Sequence, residues 1–442
     1  MNFKNIIWAM PIAALFLLDS CNDNEIEQTS QLNVDNSEIK APLEGTVVKL
    51  AIEANVKWTL RTNHSWLTTS VTQGEGSDVV TVTIPENLYR SNRTDSIQIA
   101  SVDGTAVKII KVEQATTTKL TEDYHYKLPV VFQIIYSDST KNLEDMSQSY
   151  LTTVLGRVNE IYEKSGANVE FVLATETPNG KKMDIAGINR TKLPIKSINT
   201  DAFMGYTKDA PAEYKNILWD QDRYINICLF DFADEDIAGI SCFPYTVAPD
   251  TLIGLTKLNH WVKPNELILP YCVALNTAYL KDFPQTLTRS SNFAESIAHE
   301  LGHYFGLRHV FGEGETPADA TKDTDYCTDT PTYHRKNYVI NVSNYIRKHP
   351  NLTDADLPFL LKRVVPNTKP KQTFESTNVM DYYFTRQNEF TPEQVARIRY
   401  VLLNCPYVPG PKYSTVKTRA TNGTPNTKAQ LRPQIQIDRR DL

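Results

Sequence analysis

Between residues 39 and 115, apolar positions come in short runs that alternate with polar ones. Val79-Val80-Thr81-Val82-Thr83-Ile84 alternates, and residues 47–52, 97–99 and 107–112 repeat the pattern. Successive side chains of a strand point to opposite faces, so a period of two predicts strands with one buried face. Gly74-Glu75-Gly76 and Asp103-Gly104 mark turns between them. Short strands at this spacing predict a small all-β, immunoglobulin-like sandwich over residues 39–116.

The pattern changes after residue 124. Val130-Val131-Phe132-Gln133-Ile134-Ile135-Tyr136 reads as a buried strand. Over 146–164, Leu151, Leu155, Val158, Ile161 and Tyr162 recur at helical spacing, and Ser165-Gly166 ends that helix. Residues 169–173, 224–230 and 271–276 read as further strands. Phe293, Ile297, Leu301 and Phe305 form an apolar row on a second helix, with Ser290 or Asn292 as its cap. Thr391-Pro392-Glu393-Gln394 opens a last helix carrying Val395, Ile398, Val401 and Leu402. This order predicts an α/β (α+β) domain over 124–407, after a polar linker. Residues 408–442, rich in Pro, Thr and Arg, read as a flexible tail.

The chain of 442 residues has room for two or three domains, and its 41% hydrophobic content supports sizeable cores. A net charge of −6 with mixed signs gives no nucleic-acid footprint. One long apolar run exists, residues 6–18, too short to span a bilayer comfortably. It ends in Leu17-Leu18-Asp19-Ser20-Cys21, which resembles a bacterial lipoprotein box apart from Asp19. Residues 1–20 are then a lipoprotein signal peptide, Cys21 the lipidated residue, and 21–38 a tether. An ordinary signal peptide is the alternative. Either way the protein is expected to be exported. With the lipid it is anchored to the bacterial outer membrane, and the acidic Asn22-Asp23-Asn24-Glu25 suggests surface exposure.

Chemistry concentrates at His299-Glu300-Leu301-Gly302-His303-Tyr304-Phe305-Gly306-Leu307-Arg308-His309, which reads H-E-x-x-H-x-x-G-x-x-H. Residues four apart share a helix face, so His299 and His303 can hold one metal ion. Glu300 can reach a water at that ion without being a ligand. Gly306 lets the chain leave the helix through a left-handed turn that returns His309 as third ligand. Three protein ligands leave zinc an open position, as catalytic rather than structural sites do. Asn378-Val379-Met380-Asp381-Tyr382-Tyr383, about 70 residues after His309, reads as the methionine-bearing turn that follows such motifs.

With HELGHYFGLRHVFG, DTDYCTDTPTY and NVMDYY, the chain resembles a pappalysin-like metzincin from about Val130 to Cys405. Asp329-Thr330-Pro331 stands between zinc helix and Met-turn as in that family, but Thr324-Asp325-Tyr326-Cys327 replaces the usual Gly-Asp before it. The resemblance implies one catalytic zinc on His299, His303 and His309, with Glu300 as general base and Met380 as a hydrophobic floor. Tyr382 is either a hydrogen-bond donor to the oxyanion or a packed ring. In relatives, the segment 238–244 precedes the edge strand that pairs with an extended substrate. The expected activity is zinc-dependent endopeptidase cleavage of extracellular or surface proteins. A glycan- or mucin-binding surface lipoprotein with an inactive zinc domain is the alternative.

Over 39–116, Trp58, Ser65-Trp66-Leu67, Gly74, Gly76, Asn87, Arg93 and Val112-Glu113-Gln114 resemble a BACON domain. That implies either glycan contact or a spacer role, with Trp58 and Trp66 read as core. Five cysteines besides Cys21 cannot all pair within one chain, and Cys327 with Cys405 is one open pairing. Asp319, Asp323, Asp325 and Asp329 could bind Ca2+, but without an EF-hand pattern they read better as exposed loop acids. His64, His125, His260, His334 and His349 read as surface residues.

Overall fold

The computed structural model describes residues 29–64, 66–87, 92–115, 121, 123–138, 146–205, 213–262, 271–279, 293–312, 324–382, 384–412 and 435–439. The signal segment, Cys21, the cap candidates Ser290 and Asn292, and Asp319 and Asp323 lie outside the described residues.

Among the described residues, nine strands make the N-terminal unit: β1 (Leu32–Val34), β2 (Glu38–Ala41), β3 (Thr46–Ala54), β4 (Lys57–Thr62), β5 (Thr68–Thr69), β6 (Gln73–Glu75), β7 (Asp78–Ile84), β8 (Arg93–Ser101) and β9 (Val107–Gln114). They form two sheets, ordered β1-β3-β7-β5 and β2-β9-β8-β4-β6. The alternation in β7 buries Val80, Val82 and Ile84 while neighbouring positions face outward. Leu50, Ile52, Val80 and Val82 of one sheet share a core with Ile97, Ile99, Ile110 and Val112 of the other. Trp58 is fully inside this core, its Nε1 donating to Gly76 O at 2.8 Å. Trp66 is buried with the Arg93 guanidinium 4.1 Å above its ring.

The second unit is built on β10 (Tyr126–Tyr136), β11 (Val169–Leu173), β12 (Ile188–Lys192), β13 (Ile225–Phe230), β14 (Ile237–Cys242) and β17 (Val273–Asn276). Two short strands between these last two, β15 (Tyr245–Val247) and β16 (Thr256–Leu258), pair with each other. Strands β11, β12 and β13 pair parallel to β10, and β17 parallel to β13. Parallel strands are covered on both faces, which is why β10 reads as one unbroken apolar run and is buried almost throughout. Helix α1 (Gln148–Lys164) makes the crossover from β10 to β11. Ser147 caps its start by accepting from Tyr150 N at 3.2 Å, and Gly166 at φ +75° ends it.

Among the described strands of this core, β14 runs antiparallel, against β17. Residues 238–242 belong to this antiparallel strand. Helix α2 (Phe293–Tyr304) packs on β14, β17 and α1, and Tyr162 OH donates to Ala298 O at 3.2 Å. Helices α3 (Arg335–Lys348) and α4 (Pro392–Asn404) follow, with the hairpin β18 (Lys362–Val364) and β19 (Thr373–Glu375) between them. Thr391 and Gln394 form a capping box at the start of α4.

The expected tail is partly structured. Val408 is fully buried, Lys412 Nζ donates to Leu402 O at 2.6 Å, and Tyr126 OH donates to Pro411 O at 2.8 Å. Further on, β20 (Ile435–Arg439) pairs with β14. The five described cysteines are buried and none is in a disulfide, so Cys327 and Cys405 do not pair. Among the described residues, no helix is long and apolar enough to cross a membrane.

Candidate metal centre

His299 and His303 stand one turn apart on α2, both buried. The helix ends in a Schellman turn: Leu307 N donates to Gly302 O at 2.9 Å and Gly306 N to His303 O at 2.8 Å. Gly306 sits at φ +82°, a conformation that side chains with a Cβ resist. The turn sends the chain back so that His309 meets the other two.

The three imidazoles converge through their Nε2 atoms. His303 Nε2 lies 3.1 Å from His299 Nε2 and 3.2 Å from His309 Nε2. Tetrahedral nitrogen ligands at 2.0–2.1 Å from zinc would stand about 3.3 Å apart, so the spacing fits that ion. The far nitrogens face carbonyls: His299 Nδ1 lies 2.6 Å from Val379 O, and His303 Nδ1 2.7 Å from Leu307 O. An Nδ1–H donated to a carbonyl leaves the Nε2 lone pair for a metal. Among the described residues, these histidines form the one cluster of His, Cys, Asp and Glu that could hold an ion.

Glu300, next to the first ligand, is almost completely buried. Ser241 Oγ on β14 lies 2.5 Å from Glu300 Oε2 and 2.8 Å from Glu300 O. Gly239, two residues earlier, passes so close over the carboxylate that a Cβ there would collide with Oε1. Strand β14 and the acid are thus fitted to one another.

Aromatic rings wall the centre. Phe311 stacks on His309 with centroids 4.7 Å apart, and Tyr382 lies 4.4 Å from His309 and 5.6 Å from His299. The Arg335 guanidinium sits 4.6 Å over the Tyr382 ring. Met380 is fully buried beneath, with Val310 N donating to its carbonyl at 3.3 Å. The next residue, Asp381, is buried against Arg363, with Nη2 3.3 Å from Oδ2. Tyr333 OH and Ser376 OH also donate to Asp381, and Arg363 Nη2 donates to Tyr382 O at 3.1 Å. Burial, with the Asp381 charge beside it, holds the Tyr333 phenol well above its ordinary pKa.

Of the two described loop acids, Asp329 is exposed as expected, whereas Asp325 departs from that expectation. Asp325 is buried and accepts from Cys327 N at 2.9 Å and Thr330 Oγ1 at 2.6 Å. Asp329 Oδ2 accepts from Glu393 N at 2.9 Å, at the start of α4. These hydrogen bonds give both acids a structural task, holding the Asp-Thr-Pro loop on itself and on α4. His334 likewise caps α3, its Nδ1 accepting from Asn337 N at 3.3 Å.

No role at the centre was expected for Gly302, Arg363 or Tyr333, and Gly239 and Ser241 were expected only within the segment 238–244 near the substrate strand. The signals available were a Gly-x-Ser step at 239–241, a glycine inside the helical motif, and an acid directly after Met380.

Three convergent imidazoles on a helix that exits through a glycine, an acid beside them and a methionine turn below define a metzincin-type metal centre. Residues 269–403 match the family model described as Pregnancy-associated plasma protein-A (Peptidase_M43). This part of the chain is a pappalysin-like metzincin domain, of a family of zinc metalloendopeptidases, and zinc is the cofactor its histidines fit. A curated relative, the xyloglucan-specific endo-beta-1,4-glucanase BoGH5A of Bacteroides ovatus, is 22% identical over 169 residues, 38% of this chain and 30% of that protein. The chain thus spans under a third of that relative's length. Among solved structures, a Bacteroides ovatus GH5 xyloglucanase in complex with a XXXG heptasaccharide shares 15% identity over 47% of this chain and 56% of its own, at a TM-score of 0.19. The Vibrio cholerae VesB protease shares 13% identity over 20% of this chain and 32% of its own, at a TM-score of 0.16.

Proposed function

We propose that the protein is a zinc-dependent endopeptidase that hydrolyses peptide bonds in extracellular or surface proteins. The observation that carries this reading is the convergence of His299, His303 and His309 Nε2 with the Glu300 carboxylate beside them. Bound there, zinc supplies Lewis acidity toward a peptide carbonyl and lowers the pKa of water. Glu300 Oε accepts a proton from the attacking water and passes it to the leaving amine. Ser241 Oγ holds Oε2 of that carboxylate in place. The Tyr382 hydroxyl is assigned as hydrogen-bond donor to the carbonyl oxygen as charge develops on it. An extended substrate pairs its backbone with β14, a mode that suits any peptide because every peptide carries the same donors and acceptors.

In the same reading the chain is exported and lipid-anchored through Cys21 to the bacterial outer membrane, possessing a surface-facing protease. The N-terminal unit is an immunoglobulin-like, BACON-like spacer. With Trp58 and Trp66 buried, glycan contact by that unit would rely on other residues.

The test is cleavage of a denatured-protein mixture by the chain from Asn22 onward, with cut sites read by mass spectrometry. Cuts that vanish with Glu300→Ala and with a chelator support the endopeptidase. Cuts that persist in the Glu300→Ala protein overturn the assignment of the base.

A further inference from the structure

The outer edge of β14 already carries a peptide. Strand β20 pairs with it antiparallel, with Asp438 opposite Gly239, Ile437 opposite Ile240, Gln436 opposite Ser241 and Ile435 opposite Cys242. Gly239 and Ser241 are the residues of β14 that touch the Glu300 carboxylate. Neighbouring strands lie about 4.8 Å apart, so the backbone of β20 runs one strand spacing from the segment that contacts the general base. The other edge of β14 is taken by β17. A substrate that pairs with β14 therefore has to use the edge that β20 holds.

We propose that Ile435–Arg439 is an intrachain occupant of the peptide-binding edge, so that the protein restrains its own cleavage until this segment is displaced. The proposal rests on the endopeptidase reading above, and on the pairing of β14 with β20. Its physical basis is competition for one row of backbone groups. Two segments of one chain meet at an effective concentration on the order of millimolar. Typical substrates act at about 1 μM to 1 mM. A tethered strand of modest intrinsic affinity therefore competes well with a free peptide. Displacement by a substrate with stronger pairing, or by a partner that binds residues 435–439, would open the edge.

The experiment uses the full chain with Gln436→Pro and Ile437→Pro together. Proline has no N–H, and adjacent residues of a strand point their N–H groups to opposite sides, so one of the two changes removes a ladder bond to β14. Cleavage of an unfolded-protein substrate and hydrogen exchange of amides 237–242 are measured side by side in native and variant proteins. The expected result is cleavage faster by on the order of tenfold or more in the variant, with faster exchange at 237–242. A synthetic peptide of residues 433–441, added to the variant, should slow cleavage again. Equal rates and equal exchange in the two proteins overturn the proposal. Faster exchange with no cleavage by either protein upholds the occupancy and overturns the endopeptidase reading instead.

Discussion

Gly302 and Met380 meet across the interface between α2 and the Met-turn, so closely that a Cβ on Gly302 would collide with the methionine sulfur. Met380 is fully buried and Gly302 sits inside the helix, so packed structure has to shift to admit a Cβ. Gly302→Ala should therefore cost about 1–3 kcal/mol through overpacking, despite the better helix propensity of alanine. Thermal unfolding measures the loss. An unchanged midpoint, with zinc content unchanged, would show that the turn has slack the contact does not suggest.

Glu300 and Ser241 separate chemistry from metal binding. Glu300→Gln should retain about one zinc per chain and lose roughly 10²- to 10⁴-fold in turnover. His303→Ala should lose the metal, because it removes one of the three converging nitrogens, which stands 3.1 and 3.2 Å from the other two. Ser241→Ala removes a hydrogen bond to a charged group, worth about 1.5–3 kcal/mol, and should lower kcat on the order of tenfold with the metal retained. Metal analysis and steady-state kinetics on the same preparations check all three. A Ser241→Ala protein with native kcat would mean that β14 does not position the base.

Asp381 and Arg363 lie wholly inside the domain, and their pairing fixes the turn below the histidines. Arg363→Met leaves the Asp381 carboxylate without its cation and should destabilise by about 3–5 kcal/mol. The double change Arg363→Met with Asp381→Asn should be less damaging than the single one, since no unpaired charge remains. Denaturant unfolding of the single and double variants decides this; a milder single variant would contradict the buried-charge account.

Two cysteines set an alkaline limit. Burial pushes the Cys405 thiol up to about 12, and burial with Asp325 nearby pushes Cys327 up to about 12. Their ordinary value is 9.0. A thiol with a raised folded pKa favours the native state fully below 9.0, and that advantage is lost as pH climbs from 9 toward 12. Stability should therefore fall across that window. At pH 8 both thiols should resist alkylation in the native protein and react in denaturant, which mass spectrometry of the modified peptides would show.

The metal centre was legible in the sequence because its ligands are local. His299, Glu300, His303, Gly306 and His309 fall within eleven residues, and helix geometry with one glycine turn is enough to bring the imidazoles together. The alternation over 79–84 and the apolar run over 130–136 likewise announced their strands, since each pattern follows from which faces are buried. Ser241 and Gly239 could not be read the same way. They sit about 60 residues from Glu300 in sequence, and only the antiparallel placement of β14 beside α2 makes them its neighbours. Nothing near Arg363 in sequence points to Asp381; the hairpin of β18 and β19 places it there. The polar composition of 408–442 suggested a free tail, because composition registers how little a segment can bury and not which edge it can pair with. Strand pairing uses backbone groups common to every residue, so the meeting of β20 with β14 was decided by the unfilled edge of a folded sheet.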